Sequence, residues 1–263
     1  MPKFSANLTM MFIDTDFINR FERAAKAGFT SVEFMFPYDY EKSLIVEKLN
    51  RFGLEIVLHN FPAGNWAAGD RGLACLPDRI GEFQSNVGKA IDYAKALKSP
   101  RLNCMAGITP GDFAPEIIRR TFVDNIRFAA AATQKEGIHL MIEPINTTDM
   151  PGIYLNNTCQ ALDLIKEIDH PNVWLQYDIY HMQIMEGNLT RTIRDNIAKI
   201  GHMQLADNPG RHEPGTGEIN YNNLFHFIDE AGYNGWIGCE YKPAGKTEDG
   251  LDWVKPYLKQ GGK

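Results

Sequence analysis

Short apolar runs recur along the chain: FSANL, SVEFMF, LEIVLHN, RLNCMAG, IHLMIEP, VWLQYD, HMQLAD and WIGCEY. Several follow a glycine or proline that can end a preceding helix, namely Gly28, Gly53, Pro100, Gly137, Pro171, Gly201 and Gly235. Between them the apolar period lengthens to that of a helix. In DFINRFERAAKAG, Phe17, Phe21 and Ala24 share a face and Gly28 stops the helix. In DRIGEFQSNVGKAIDYAKAL, Ile80, Phe83, Val87, Ile91 and Ala94 follow the same spacing, and NLFHFIDEAG aligns Leu224, Ile228 and Ala231. Strand-like runs alternating with helices predict a parallel sheet. Eight such units in 263 residues fit an α/β fold of one kind, a single (β/α)8 TIM barrel, better than an open doubly wound sheet. No GxGxxG follows the first run, so no nucleotide cofactor is expected. No Pro/Ser-rich linker or charge block divides the chain, which predicts one domain over 1–263. The longest irregular stretch, Phe61 to Asp78, carries Trp66 among glycines and reads as a surface loop or as a flap over a pocket.

Composition narrows the function. The chain is 44% hydrophobic and 23% charged, with a net charge of −6. That balance argues against nucleic acid, whose phosphates need a basic face. The opening MPKFSANLTMMF has neither a signal-peptide pattern nor a membrane-spanning run. The four cysteines, Cys75, Cys104, Cys159 and Cys239, form no CxxC and read as reduced thiols of a cytoplasmic protein without a membrane partner.

The ends of the strand-like runs carry the chemistry. A (β/α)8 barrel places its active site at the C-terminal ends of the strands. The fifth run ends in Glu143, the sixth in Asp178 with His181 just beyond; the seventh carries Gln204 near its end, and Glu240 ends the eighth. Carboxylates converging at the mouth repel unless a cation lies among them. A divalent metal held by Glu143, Asp178, Gln204 and Glu240 is therefore expected. Its all-oxygen set favours Mg2+ or Mn2+. Taken singly, each has an ordinary alternative: a loop ion pair, a turn cap for Asp178, a satisfied polar side chain for Gln204. His139, His202 and His226 read as structural.

Longer stretches sharpen this. VEFMFPYDY, LHNFPAGNWAAGDRGLACLP, IEPIN, QYDIYHMQIMEGNLT, ADNPGRHEPGTGEINY and NGWIGCEYKP resemble the hydroxypyruvate isomerase family, in the xylose-isomerase-like group of barrels. The similarity runs nearly end to end. The resemblance implies interconversion of hydroxypyruvate and tartronate semialdehyde, with Glu143 and Glu240 as the two catalytic proton carriers. Related barrels bind a divalent metal through Glu, Asp, His and Glu; this chain has Gln204 where many have histidine. The reaction moves a proton from C3 to C2 through an enediolate, and the substrate's carboxylate needs a clamp. Arg211, in the loop after the seventh run, suits it because a guanidinium meets a carboxylate with two parallel hydrogen bonds. His181 and His59 are the further substrate-binding candidates. The rival readings are isomerisation of 2-oxo-tetronate or another short keto-acid, a keto-sugar epimerase, a metal-dependent nuclease barrel and a non-catalytic binding barrel. A homo-oligomer stays open.

Overall fold

Every apolar run overlaps a strand in the computed structural model, which describes residues 1–258. The last five residues of the expected 1–263 span lie outside the described residues. The strands are β1 (Lys3–Asn7), β2 (Ser31–Phe34), β3 (Glu55–Asn60), β4 (Arg101–Cys104), β5 (His139–Ile142), β6 (Val173–Asp178), β7 (Ile200–Leu205) and β8 (Trp236–Cys239). Each pairs in parallel with the next, and β8 closes on β1. The helices are α1 (Phe17–Lys26), α2 (Lys42–Phe52), α3 (Ile80–Leu97), α4 (Pro115–Lys135), α5 (Thr158–Ile168), α6 (Ile179–Met185), α7 (Leu189–Asn196) and α8 (Tyr221–Glu230). The closed (β/α)8 barrel expected from the alternation is the fold observed.

The apolar stripes explain the packing. α1 buries Phe21 and Ala24 against the barrel, and Gly28, at φ 97°, turns the chain into β2 in a conformation that suits glycine. α8 buries Leu224, Phe225 and Ile228, while Ala231 lies one residue past its end. On α3 the buried face is Phe83, Val87, Ala90, Ala94 and Leu97. Phe83, Val87 and Ala94 are buried as expected, whereas Ile80 is exposed and Ile91 only half-buried, with Ala90 and Leu97 completing the face. Alanines along it let the helix approach β3 and β4 closely. Leu, Ile and Phe side chains between strands and helices form one continuous core, and each fully buried one contributes roughly 1.5–3 kcal/mol.

The lumen is different. Ser5, Asn7, Glu33, Asn103, Gln176, His202 and Gln204 are fully or almost fully buried there, and all but Asn103 hydrogen-bond one another across strands. A polar lumen under a ring of strand ends positions a site at the C-terminal mouth. Among the described residues no helix is long and apolar enough to cross a membrane.

Candidate active site

Glu143 follows β5 directly and is 5% exposed; Asp178, the last residue of β6, is 0% exposed, and Glu240, just after β8, is 5% exposed. Burying a carboxyl group this fully is costly unless it is paired or protonated. Asn103 of β4 donates its amide to Glu143 at 2.6 Å. Asp178 divides its two oxygens. Oδ1 accepts the Tyr180 backbone N–H at 2.8 Å and caps α6. Oδ2 makes no hydrogen bond among the described residues.

Arg211 supplies the counter-charge. Its Nη2 lies 3.2 Å from Glu240 Oε1 and 3.7 Å from Asp178 Oδ2. The guanidinium rests over the Tyr180 ring, 5.1 Å from its centroid, and the Tyr180 hydroxyl donates to Asp149 at 2.9 Å. The loop that carries Arg211 is a strap. Asp207 accepts the backbone N–H groups of Asn208, Gly215 and Ile219 at 2.9, 2.8 and 3.1 Å. Lys242 N–H donates to Arg211 O at 2.7 Å and ties the strap to the segment after β8.

His181 stands beside this pair in a defined tautomer. The Asp149 N–H donates to Asn146 Oδ1 at 2.7 Å, which turns the Asn146 amide nitrogen onto His181 Nδ1, also at 2.7 Å. Nδ1 is therefore the acceptor, and Nε2 carries the hydrogen. That N–H faces Asp178 Oδ2 across 3.5 Å. Burial, and then the Arg211 charge, hold the His181 pKa well below the usual imidazole value, so the ring is neutral.

Burial raises all three carboxyl groups above their ordinary range. For Glu143 the charge of Asp178 adds to burial, and the Asn103 hydrogen bond opposes it. For Asp178, Arg211 and the N–H groups of Tyr180 and His181 oppose it. For Glu240, Arg211 opposes it while Glu143 and Asp178 add. One guanidinium cannot balance three carboxylates at close quarters, so a proton is retained within the cluster. A site that stores one proton among carboxyls can both deliver and accept it.

The donor set also fits a hard divalent cation. Glu143 and Asp178 offer oxygens within 4.8 Å of each other, and the free Oδ2 of Asp178 is an unclaimed buried oxygen. His181 Nε2, being protonated, donates hydrogen bonds and is not a ligand. Gln204 presents Oε1 to Gln176 Nε2 at 2.7 Å and turns its own Nε2 to Glu33 at 2.7 Å. A carbonyl oxygen has two lone pairs, so one remains on Gln204.

Glu143, Asp178, His181, Gln204, Arg211 and Glu240 thus gather at one mouth. His59 does not join them. Its ring packs among Phe34, Tyr38 and Ala90 on the helix side of β3, and burial lowers its pKa to about 3. Asn103, Asn146, Asp149, Gln176 and Glu33 were not singled out from sequence. Three of them carried a signal, a polar letter inside an apolar run: RLNCM, VEF and LQY.

The other side of the mouth is apolar. Ala63, Met105, Ile145 and Ile153, with Phe36, Ile108 and Met150 against them, form a collar from the segments after β2, β3, β4 and β5. Outside Arg211, a cleft of about 550 Å³ is lined by Asp149, Tyr180, Asn208 and Lys242 among others.

The profile of the xylose isomerase-like TIM barrel family matches residues 21–257. This chain belongs to the xylose isomerase-like TIM barrel family. Within it, the chain is 55% identical over 257 residues to the hydroxypyruvate isomerase of Escherichia coli (strain K12), covering 98% of this chain and 100% of that protein. It is 47% identical to the 2-oxo-tetronate isomerase of Pectobacterium atrosepticum, covering 99% of each. The crystal structure of a Brucella melitensis family member, described as an AP endonuclease of family 2, superposes with a TM-score of 0.96 at 46% identity, over 98% of this chain and 100% of that one.

Proposed function

We propose that this xylose isomerase-like barrel, as one domain, interconverts hydroxypyruvate and tartronate semialdehyde (2-hydroxy-3-oxopropanoate) by proton transfer through an enediolate. The observation that carries the reading is the pair of buried, proton-retaining carboxyls, Glu143 and Glu240, on strands three apart around the barrel. The full-length likeness to a hydroxypyruvate isomerase supports it.

The substrate lies between the two glutamates. One takes the C3 proton as its carboxylate, the hydroxyl hydrogen on the C3 oxygen passes to the C2 oxygen across the enediolate, and the other glutamate, protonated, returns a proton to C2; in the reverse direction they exchange roles. Burial favours each in the protonated form before or after its step. Arg211 receives the substrate's carboxylate, a role its two-pronged guanidinium suits. His181 donates its Nε2 hydrogen to a substrate oxygen as negative charge grows there. The collar of Ala63, Met105 and Ile145 keeps water from the enediolate. Glu143, Asp178, Gln204 and Glu240 would hold a divalent cation, Mg2+ or Mn2+. When bound, it would supply Lewis-acid stabilisation of charge on the substrate oxygens. The protein works in the cytoplasm on a small keto-acid, with neither nucleic acid nor a membrane as partner.

Isomerisation of 2-oxo-tetronate is the second reading, favoured by the 47% identical relative. A nuclease reading, suggested by the description of the Brucella structure, conflicts with a net charge of −6 and an acidic mouth. The test is an assay of the purified protein on both keto-acids, with and without chelator, alongside Glu143→Gln and Glu240→Gln. Turnover of hydroxypyruvate is expected, with each variant folded by circular dichroism and slower by about a hundredfold or more. Near-wild-type turnover in either folded variant removes the two-glutamate mechanism. Turnover of 2-oxo-tetronate alone selects the second reading.

A further inference from the structure

Beneath the mouth, Glu33 of β2 is fully buried in the lumen. Ser5 Oγ donates to its Oε2 at 3.1 Å, and Asn7 Nδ2 to its Oε1 at 3.1 Å. His202 Nε2 lies 2.8 Å from Oε2. Gln204 Nε2 donates to Oε1 at 2.7 Å. Gly238 of β8 makes room for this carboxyl: a Cβ there would lie 2.2 Å from Glu33 Oε1. The proton-transfer scheme does not use Glu33, which lies a layer below Glu240.

Its neighbours give it a direction. A primary amide is a donor at one end and an acceptor at the other. A carboxyl surrounded by donors turns the nitrogen of Gln204 toward itself. Gln204 Oε1 must then face the other way, and there it accepts from Gln176 Nε2 at 2.7 Å. The chain of donors runs from Gln176 to Gln204 to Glu33. Reversing one amide would reverse its neighbour and put nitrogen rather than oxygen on the free side of Gln204.

We propose that Glu33 is a positioning residue that sets the polarity of the Gln204–Gln176 amide relay, and through it the oxygen face that Gln204 offers a cation. The inference rests on the isomerase reading for its kinetic consequence, but not for the direction of the amides. An outer carboxylate that orients a ligand is a common device in metal sites, where removing it costs about ten- to a hundredfold in affinity or activity.

The decisive variants are Glu33→Gln and the double variant Glu33→Gln/Gln204→Glu. With Glu33→Gln alone, either end of the new amide can face Gln204, and the relay loses its direction. We expect Mn2+ binding, measured by calorimetry, and kcat on hydroxypyruvate each to fall by about ten- to a hundredfold. KM should stay within about twofold of wild type, because the Arg211 clamp is untouched. In the double variant, the carboxylate introduced by Gln204→Glu accepts from both amides and restores the donor role of Gln176. Recovery of most of the lost kcat is expected. A buried carboxyl needed only for packing or solvation would give no such rescue. Wild-type Mn2+ affinity and kcat in folded Glu33→Gln overturn the proposal, as does a double variant no better than the single one. Neutron diffraction of the deuterated wild-type protein reads the same point without any substitution or activity. Deuterium on the Gln204 atom facing Glu33 is expected, and deuterium on the atom facing Gln176 overturns it. If the wild-type protein fails to isomerise hydroxypyruvate while the amides point as described, the functional reading falls and the relay stands.

Discussion

At Arg211 the backbone is left-handed, at φ 59°, a conformation that costs a non-glycine residue about 1–2 kcal/mol. The surroundings offset it: the Lys242 N–H bond at the carbonyl, the Tyr180 ring under the guanidinium, and Glu240 at its tip. A charged hydrogen bond to the substrate carboxylate is worth roughly 1.5–3 kcal/mol. Arg211→Ala should then raise KM for hydroxypyruvate about ten- to a hundredfold. It should also lower kcat, because Glu240 loses the charge that opposes its protonation. Arg211→Lys should recover only part of the KM, since an ammonium lacks the two-pronged geometry. Steady-state kinetics on the three proteins settle it, and an unchanged KM in the alanine variant moves the clamp elsewhere. The convergence of Glu143, Asp178, Glu240 and Arg211 was legible because barrel topology brings strand ends together whatever the loops do. The setting of His59 was not. Between β2 and β3 the register shifts at Val32/Glu33, which pair with Ile56 and Leu58. Such an irregularity flips the inward–outward parity of everything that follows, and no sequence alternation announces it. The amide relay was equally hidden, because its direction depends on contacts among β2, β6 and β7 that only the closed barrel creates.

Among the connecting elements, the strap from Asn208 to Ile219 shows how one side chain can organise a loop. Its backbone donors converge on the buried carboxyl of Asp207, and Gly217 passes so close to Asn208 that a Cβ would lie 2.2 Å from the carbonyl oxygen. Asp207→Ala leaves these N–H groups without their acceptor, at roughly 1–3 kcal/mol for each that finds no other. Hydrogen exchange at Gly215 and Ile219 should accelerate, and KM should rise as Arg211 loses its fixed base. Unchanged exchange at both amides would mean that the strap is held by other contacts. The strands were readable as apolar runs and the helices as periodic stripes. On α3 the stripe of Phe83, Val87 and Ala94 held, but Ala90 rather than Ile91 completes it, since both positions are compatible with that helical face. The strap offered turn-forming residues but no clue that Asp207 was its centre.

For the molecule as a whole, the acidic cluster couples stability to pH. Glu143 rises from an ordinary 4.5 to about 8, chiefly through burial. Between those values the folded protein keeps a proton that the unfolded chain releases, so stability is greatest below the window and declines as pH climbs through it. A divalent cation bound only by the folded form opposes the decline, and most strongly at high pH, where the ligands have lost their protons. Below about pH 6.5 the buried neutral His59 and His181 act in the opposite sense, so melting curves without cation should show Tm falling from about pH 6.5 to about pH 8, and Mn2+ should flatten the fall. A Tm that rises across this range in the cation-free protein would mean that the carboxyls ionise without cost. The two-sided mouth has a different consequence. Phe36, Ala63 and Met105 come from the first half of the barrel, whereas Glu143, Asp178, Gln204, Arg211 and Glu240 come from the second, and only the segment after β5, with Ile145, adds to both. The surface that a substrate's carbon chain would brush against and the groups that would grip its charge are therefore inherited on largely separate stretches of the gene. Change can accumulate in one stretch, trying new substrate lengths, while the other keeps its proton chemistry intact.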